Sequence, residues 1–171
     1  MPTDDYGSRF TSAYTFPLAP DSTRLYSGEL TGSIGPDDTS DEDWFKVSLQ
    51  KGATYQFTLS GGTTVYDLNY ATLEWYSTNG TSSIGSDYFH YYVSSQSGET
   101  SAGFTTSPVG ATGDYYLRID LGYFGSGANS NDVGQYNLKV QQLTEGHTSF
   151  ISQSLQSTMT DDFGSRYTTA Y

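Results

Sequence analysis

Alternation of apolar and polar positions is the dominant pattern along this chain. Trp44–Leu49 places Phe45, Val47 and Leu49 on one face, and Thr54–Ser60 does the same with Tyr55, Phe57 and Leu59. Period-two spacing of this kind predicts half-buried β-strands. Lys51-Gly52 between the two segments predicts a short hairpin that pairs them antiparallel. Asp114–Leu121 turns Tyr115, Leu117 and Ile119 inward, and Gln135–Leu143 turns Tyr136, Leu138 and Val140 inward. Leu25–Ile34 reads as a strand broken by Gly28 and Gly32. Ala71–Ser77 ends at the turn dipeptide Asn79-Gly80, Asp87–Val93 is a Tyr-rich strand, and Glu99–Thr105 is a weaker one. No segment carries a convincing amphipathic helix. About eight strands punctuated by turns predict an all-β fold, an antiparallel β-sandwich of jelly-roll type.

Composition adds a complication and its answer. Leu, Ile, Val and Phe together number 31 of 171 residues, and the net charge is −12. Those two values alone point toward disorder. Against them stand 16 Tyr and 2 Trp, which raise aromatics to 16% and can fill a core in place of aliphatic side chains. The negative charge argues against nucleic acid and against an anionic membrane surface, since both gain affinity from basic patches. With Cys 0 there is no disulfide framework, thiolate metal site or Cys nucleophile. The 2 His, His90 and His147, are too far apart in sequence to suggest a zinc site. The N-terminus Met1-Pro2-Thr3-Asp4-Asp5 is polar, and no apolar run approaches the ~20 residues that span a membrane.

The two ends of the chain repeat each other. Residues 3–14 read TDDYGSRFTSAY and residues 160–171 read TDDFGSRYTTAY. Nine of twelve positions are identical and the other three are Tyr/Phe or Ser/Thr exchanges. A repeat at this offset predicts tandem modules: a full module over 1–143, a linker over 144–159, and the opening of the next repeat over 160–171. A clasp between the two ends of one domain is the competing explanation. The second copy, lacking a module of its own, is expected to dock on a neighbouring molecule by strand addition or by entering a peptide-binding groove.

Several of the strand segments match a known pattern. Asp41-Glu42-Asp43-Trp44-Phe45-Lys46-Val47-Ser48-Leu49 followed by Lys51-Gly52-Ala53-Thr54-Tyr55-Gln56-Phe57 resembles the DxDWF core of bacterial pre-peptidase C-terminal domains. Ala71-Thr72-Leu73 through Asn79-Gly80, Gly113-Asp114-Tyr115-Tyr116-Leu117-Arg118-Ile119 and Gly134-Gln135-Tyr136-Asn137-Leu138-Lys139-Val140 resemble later strands of that family in the same order. The opening segment, Asp4-Asp5 with Thr11-Ser12-Ala13, resembles the family's lead-in, so the match covers roughly residues 3–143. The resemblance implies a calcium-supported β-sandwich without catalytic activity. Such modules accompany secreted proteases and occur in long secreted adhesins of the repeats-in-toxin type. The similar collagen-binding domains of clostridial collagenases bind peptide chains. Two stretches depart from the family: Ser82–Ser101 is unusually aromatic, and the glycine-rich loop Gly122–Asn131 is long.

Calcium takes 6–8 oxygen ligands. Asp41 and Asp43, one residue apart ahead of a strand, can point the same way and reach one ion. By the resemblance, Asp4 and Asp5 of the lead-in join them. Asp120 and Asp132, with Asn129 and Asn131, form a second candidate cluster. Solubilising surface charge is the plainer explanation of both. The aromatic excess, including Tyr66, Tyr70, Trp75 and Tyr76, suggests a recognition patch for peptide or sugar, for which Tyr88, His90, Tyr91, Tyr92, Tyr123 and Phe124 are the candidates. Core packing is the alternative for any one of them. His90 in Tyr88-Phe89-His90-Tyr91-Tyr92 reads as a strand residue, with no GxSxG elbow in the chain and no motif around any of the five Glu. Asn79-Gly80-Thr81 fits a glycosylation acceptor but reads as a hairpin turn.

The expectation is therefore a non-catalytic, Ca2+-supported module of a secreted or cell-surface bacterial adhesin that binds peptide or protein segments. The alternatives are a glycan-binding module, or a structural spacer or accessory domain of a secreted protease.

Overall fold

The computed structural model of the chain describes residues 6–34, 41–64, 67–92, 96–121 and 134–146. Eleven strands form among them: β1 Tyr14–Thr15, β2 Ala19–Pro20, β3 Tyr26–Ile34, β4 Asp43–Leu49, β5 Tyr55–Ser60, β6 Tyr70–Tyr76, β7 Ser83–Tyr92, β8 Ser97–Gly98, β9 Ser101–Thr105, β10 Gly113–Asp120 and β11 Gly134–Gln142. Three have only two residues, so eight longer strands remain, in the places the alternation marks. One sheet has the order β1-β4-β10-β6-β7-β8 and the other β2-β3-β11-β5-β9. Among the described residues every ladder is antiparallel except β1 with β4. The protein is an all-β, two-sheet sandwich.

The strands form because alternate residues can be buried together. Phe45, Val47 and Leu49 of β4 face Tyr55, Phe57 and Leu59 of β5 across the core, all nearly inaccessible to solvent. Leu117 and Ile119 of β10 and Leu138 and Val140 of β11 complete the two inner faces. Burying each such side chain stabilises the fold by ~1.5–3 kcal/mol. The aromatic residues supply what the aliphatics lack: Phe57 meets Trp75 at 5.9 Å and Phe104 at 5.3 Å between ring centroids.

One sequence expectation is corrected here. β4 and β5 do not pair with each other: β4 pairs β10 and β1, while β5 pairs β11 and β9. Lys51-Gly52 is thus a corner that carries the chain from one sheet to the other. Gly52 sits at φ 79°, and its N–H donates to the Val109 carbonyl at 2.7 Å. Two amphipathic strands with their apolar faces toward one core satisfy the same alternation whether they lie side by side or face to face. Burial on both sides of the core selects the second arrangement. Asn79-Gly80 does make the predicted hairpin, joining β6 to β7, with the Ser77 N–H donating to the Ser82 carbonyl at 2.9 Å.

The two long sides of the sandwich are closed differently. On one side the lead-in seals it. After a short 3-10 turn at Phe10–Ser12 the chain adds β1 to β4, buries Phe16 against Phe45, then adds β2 to β3. On the other side β7 and β9 face each other as the margins of the two sheets. β8 covers only Tyr91 and Tyr92 of β7, and among the described residues β9 pairs only β5.

Candidate functional site

Along this second side lies a groove of about 460 Å3. Trp75, Phe104 and Tyr115 contribute its aromatic lining. The Trp75 and Phe104 rings are near parallel, 6.4 Å apart at 28°, and Tyr115 lies 5.8 Å from Trp75. Ile84, 48% exposed, and the Thr106–Gly110 segment border it. Gly85 of β7 opens the gap: a Cβ built there would meet only the Phe104 ring edge, at 3.9 Å. The buried Trp75 Nε1 has no hydrogen-bond partner among the described residues.

A second, polar hollow of about 540 Å3 adjoins β9, bordered by Thr58, Asp87, Glu99 and Gly103. The Gly103 N–H donates to the Asp87 carboxylate at 2.8 Å, linking the two sheet margins. That N–H points away from β5, so by antiparallel alternation the backbones of Ser101 and Thr105 point the same way. A carboxylate on an outward strand N–H also blunts the edge against unspecific pairing.

The outer face of the β4-β10-β6 sheet carries a separate polar cluster. Arg118 pairs with Glu42 at 3.1 Å, with Asp120 at 2.7 Å and with Glu74, and sits 5.8 Å from both the Trp44 and Tyr76 ring centroids. Burial disfavours the Arg118 charge, but Asp120 and Glu74, then Tyr76 and Glu42, outweigh it and hold its pKa above the ordinary value. The Tyr76 hydroxyl donates to Glu74 at 2.8 Å. Burial, then that hydrogen bond, pushes its pKa up to about 12. Trp44 Nε1 donates to Glu42 at 2.9 Å. These contacts tie every member of the cluster to another.

The predicted site residues are distributed unevenly. Asp43 opens β4 with its carboxylate wholly buried, receiving the Tyr136 hydroxyl at 2.5 Å. Gly32 admits that hydroxyl, because a Cβ there would collide with the Tyr136 oxygen and lie 2.7 Å from the Tyr6 ring. Asp41 is half-buried just ahead of Asp43. Asp120 lies beside Ile119, the register partner of Asp43, but it faces outward into the Arg118 cluster, on the opposite face of the sheet. No group of three or more acidic or imidazole side chains suited to a metal occurs among the described residues. Asp4, Asp5 and Asp132 lie outside them, as do Tyr123 and Phe124.

Tyr88 is 54% exposed and projects from the face of β7 opposite Asp87, so it does not line the groove. His90, Tyr91 and Tyr92 belong to the same strand, and their side chains fall outside the described ones. Phe104, Tyr115 and the Val109 segment are the groove residues that sequence reading missed. Their signal was present but ambiguous, since inward-facing aromatics on strands read as core. Only the spacing of β7 from β9 leaves their edges accessible.

Neither a family known from sequence nor a curated protein matches the chain. Solved structures of similar fold do exist. PliG of Aeromonas hydrophila, a periplasmic inhibitor of g-type lysozyme, is 15% identical with a TM-score of 0.48, over 77% of this chain and 97% of that one. The pre-peptidase C-terminal domain of Bacillus anthracis collagenase is 14% identical with a TM-score of 0.45, over 75% and 93%. CorA, a surface-associated copper-binding protein of Methylomicrobium album BG8, is 12% identical with a TM-score of 0.41, over 77% and 98%.

Proposed function

We propose that this chain is a non-catalytic binding module, of a secreted or cell-surface bacterial protein, that grips an extended peptide segment between β7 and β9. The open groove lined by Trp75, Phe104 and Tyr115 carries the reading. A peptide laid along β9 would meet the outward backbone groups of Ser101 and Thr105 on either side of the Gly103 N–H that Asp87 holds, the pattern used in strand addition. An apolar side chain would enter the groove, where burial contributes ~25 cal/mol per Å2. A carbonyl entering there is the kind of acceptor that the Trp75 Nε1 lacks. Asp87 and Glu99 at the adjoining hollow favour a positive charge on the peptide, either a basic side chain or a terminal ammonium. The net charge of −12 steers such a ligand inward.

Calcium belongs to the same proposal as a support. Asp43 and Asp41 would hold the ion with oxygens from Asp4 and Asp5, which precede Tyr6 by two residues and one. Tyr6 packs beside Gly32, next to the Tyr136 hydroxyl that binds Asp43, so the lead-in enters at this end of the sandwich. A bound ion would neutralise buried charge and fix the lead-in. Its stabilisation reaches ~2.7 kcal/mol at a hundred times its dissociation constant. Thermal unfolding with calcium and with chelator measures this. A higher melting temperature in calcium, largely lost in Asp41→Asn, is expected; identical curves would remove calcium from the account.

Screening on a combined peptide and glycan array tests the binding reading. Selective peptide hits that Gly85→Leu abolishes are expected, because that side chain fills the groove without crowding the backbone. Glycan hits would select the sugar-binding alternative. A blank array with a calcium-dependent melting temperature would leave a spacer or accessory domain.

A further inference from the structure

The lead-in is held by four anchors, and the chain carries a second set of them. Tyr6 packs edge-on against Phe45 at 4.8 Å and Tyr14 at 5.0 Å. The Gly7 carbonyl accepts the Trp44 N–H at 2.9 Å. Phe10 wedges between Trp44 at 6.2 Å and Tyr116 at 5.9 Å. Tyr14 adds in parallel beside Phe45. Gly7 tolerates no side chain, since a Cβ would collide with the Ser12 carbonyl. In residues 160–171 the same four positions are Phe163, Gly164, Tyr167 and Tyr171. Each anchor is retained in kind, and the glycine is retained outright.

We infer that residues 160–171 are a second occupant for the seat that residues 6–14 hold on β4, so that one copy of the chain can complete another. The exchanges are compatible with the seat. Phe163 lacks only the hydroxyl that Tyr6 donates to the Thr31 carbonyl at 2.7 Å. Phe10 is half-buried, so the added hydroxyl of Tyr167 can reach water. Thr169 keeps the hydroxyl with which Ser12 donates to the Arg9 carbonyl. A peptide of residues 160–171 alone includes no counterpart of the buried Phe16 that follows the first copy, so it takes the seat when the native hold is weakened. The reach is adequate. Gly146 lies close to the Lys51 backbone at the far end of β4, and seven strand residues span ~23 Å. The spacer 147–159 extends to ~43 Å, enough for the chain's own seat or a neighbour's.

A labelled peptide of sequence 160–171 tests this, titrated onto full chains whose own tail carries Phe163→Ala and Tyr167→Ala. Binding to the chain that also carries Phe10→Ala should be about tenfold tighter than to the chain with an intact lead-in, equal to about 1.4 kcal/mol. Should Phe10→Ala fail to fold, Tyr6→Phe weakens the native lead-in by removing the hydrogen bond to the Thr31 carbonyl and should raise affinity in the same direction. Affinity that is the same with intact and weakened lead-ins would overturn the inference. So would binding that Gly85→Leu abolishes, since the peptide would then lie between β7 and β9. Size measurement of the unlabelled Phe10→Ala chain with its natural tail should show dimers that increase with concentration, and these should be absent when Phe163→Ala and Tyr167→Ala are added. Dimers that persist with the substituted tail would also count against it.

Discussion

Tyr76 shows how a single side chain reports its surroundings. Its hydroxyl gives its proton to Glu74 while the Arg118 guanidinium lies over its ring. Burial and the hydrogen bond raise its pKa from 10.0 to about 12. The protonated form is the one that folding favours, so the contribution is fully present below pH 10 and is lost as pH rises toward about 12. Difference absorbance during an alkaline titration should assign a late-ionising tyrosine to Tyr76, and Tyr76→Phe should remove it and flatten the loss of stability in that window. Ionisation of Tyr76 together with the exposed tyrosines would contradict the cluster as described. Arg118 is the reason the cluster holds together: its three carboxylate partners would repel one another without it. Asp120, a metal candidate from the sequence, pairs with this arginine on the outer face of the sheet. A carboxylate reads alike in sequence whether its neighbour is a cation in the chain or one from solution.

At the scale of elements, alternation fixes which residues face inward but not which strands are neighbours. Phe45, Val47, Leu49, Tyr55, Phe57 and Leu59 all face the core as their spacing predicts, yet β4 and β5 lie in different sheets. Pairing partners depend on contacts distant in sequence, such as Leu117 with Phe45 and Leu138 with Leu59, which no local pattern encodes. The lead-in was legible as a repeat, though not as the seal of one side of the sandwich. That role rests on Phe16, which is almost wholly buried against Phe45 and whose N–H donates to the Lys46 carbonyl at 2.9 Å. Removing this ring leaves a cavity between the sheets, and Phe16→Ala should cost about 3–5 kcal/mol in denaturant unfolding. A loss below about 1 kcal/mol would mean that the lead-in contributes little to the fold. Of the candidate site, the acidic strand start at Asp41 and Asp43 was legible and the groove was not. A groove is a gap between elements, and gaps follow from packing rather than from composition.

For the molecule as a whole, the sandwich formed by the described residues is asymmetric: one long side is sealed by the lead-in, and the other carries a groove between β7 and β9. Gly85 and the short β9 keep that side open, while the aromatic rings behind it furnish contact area already ordered by the core. Rigid aromatic surface of this kind recognises ligands at low entropic cost. The central claim is that this open side is where an extended, positively charged peptide is held. The most direct measurement is calorimetric titration of a selected peptide into the parental chain and into Gly85→Leu, both in calcium. The account predicts binding to the parental chain and at least tenfold weaker binding to Gly85→Leu, a difference of about 1.4 kcal/mol or more, with the melting temperature of the variant unchanged. Equal affinity for both chains would place the ligand elsewhere and contradict the claim.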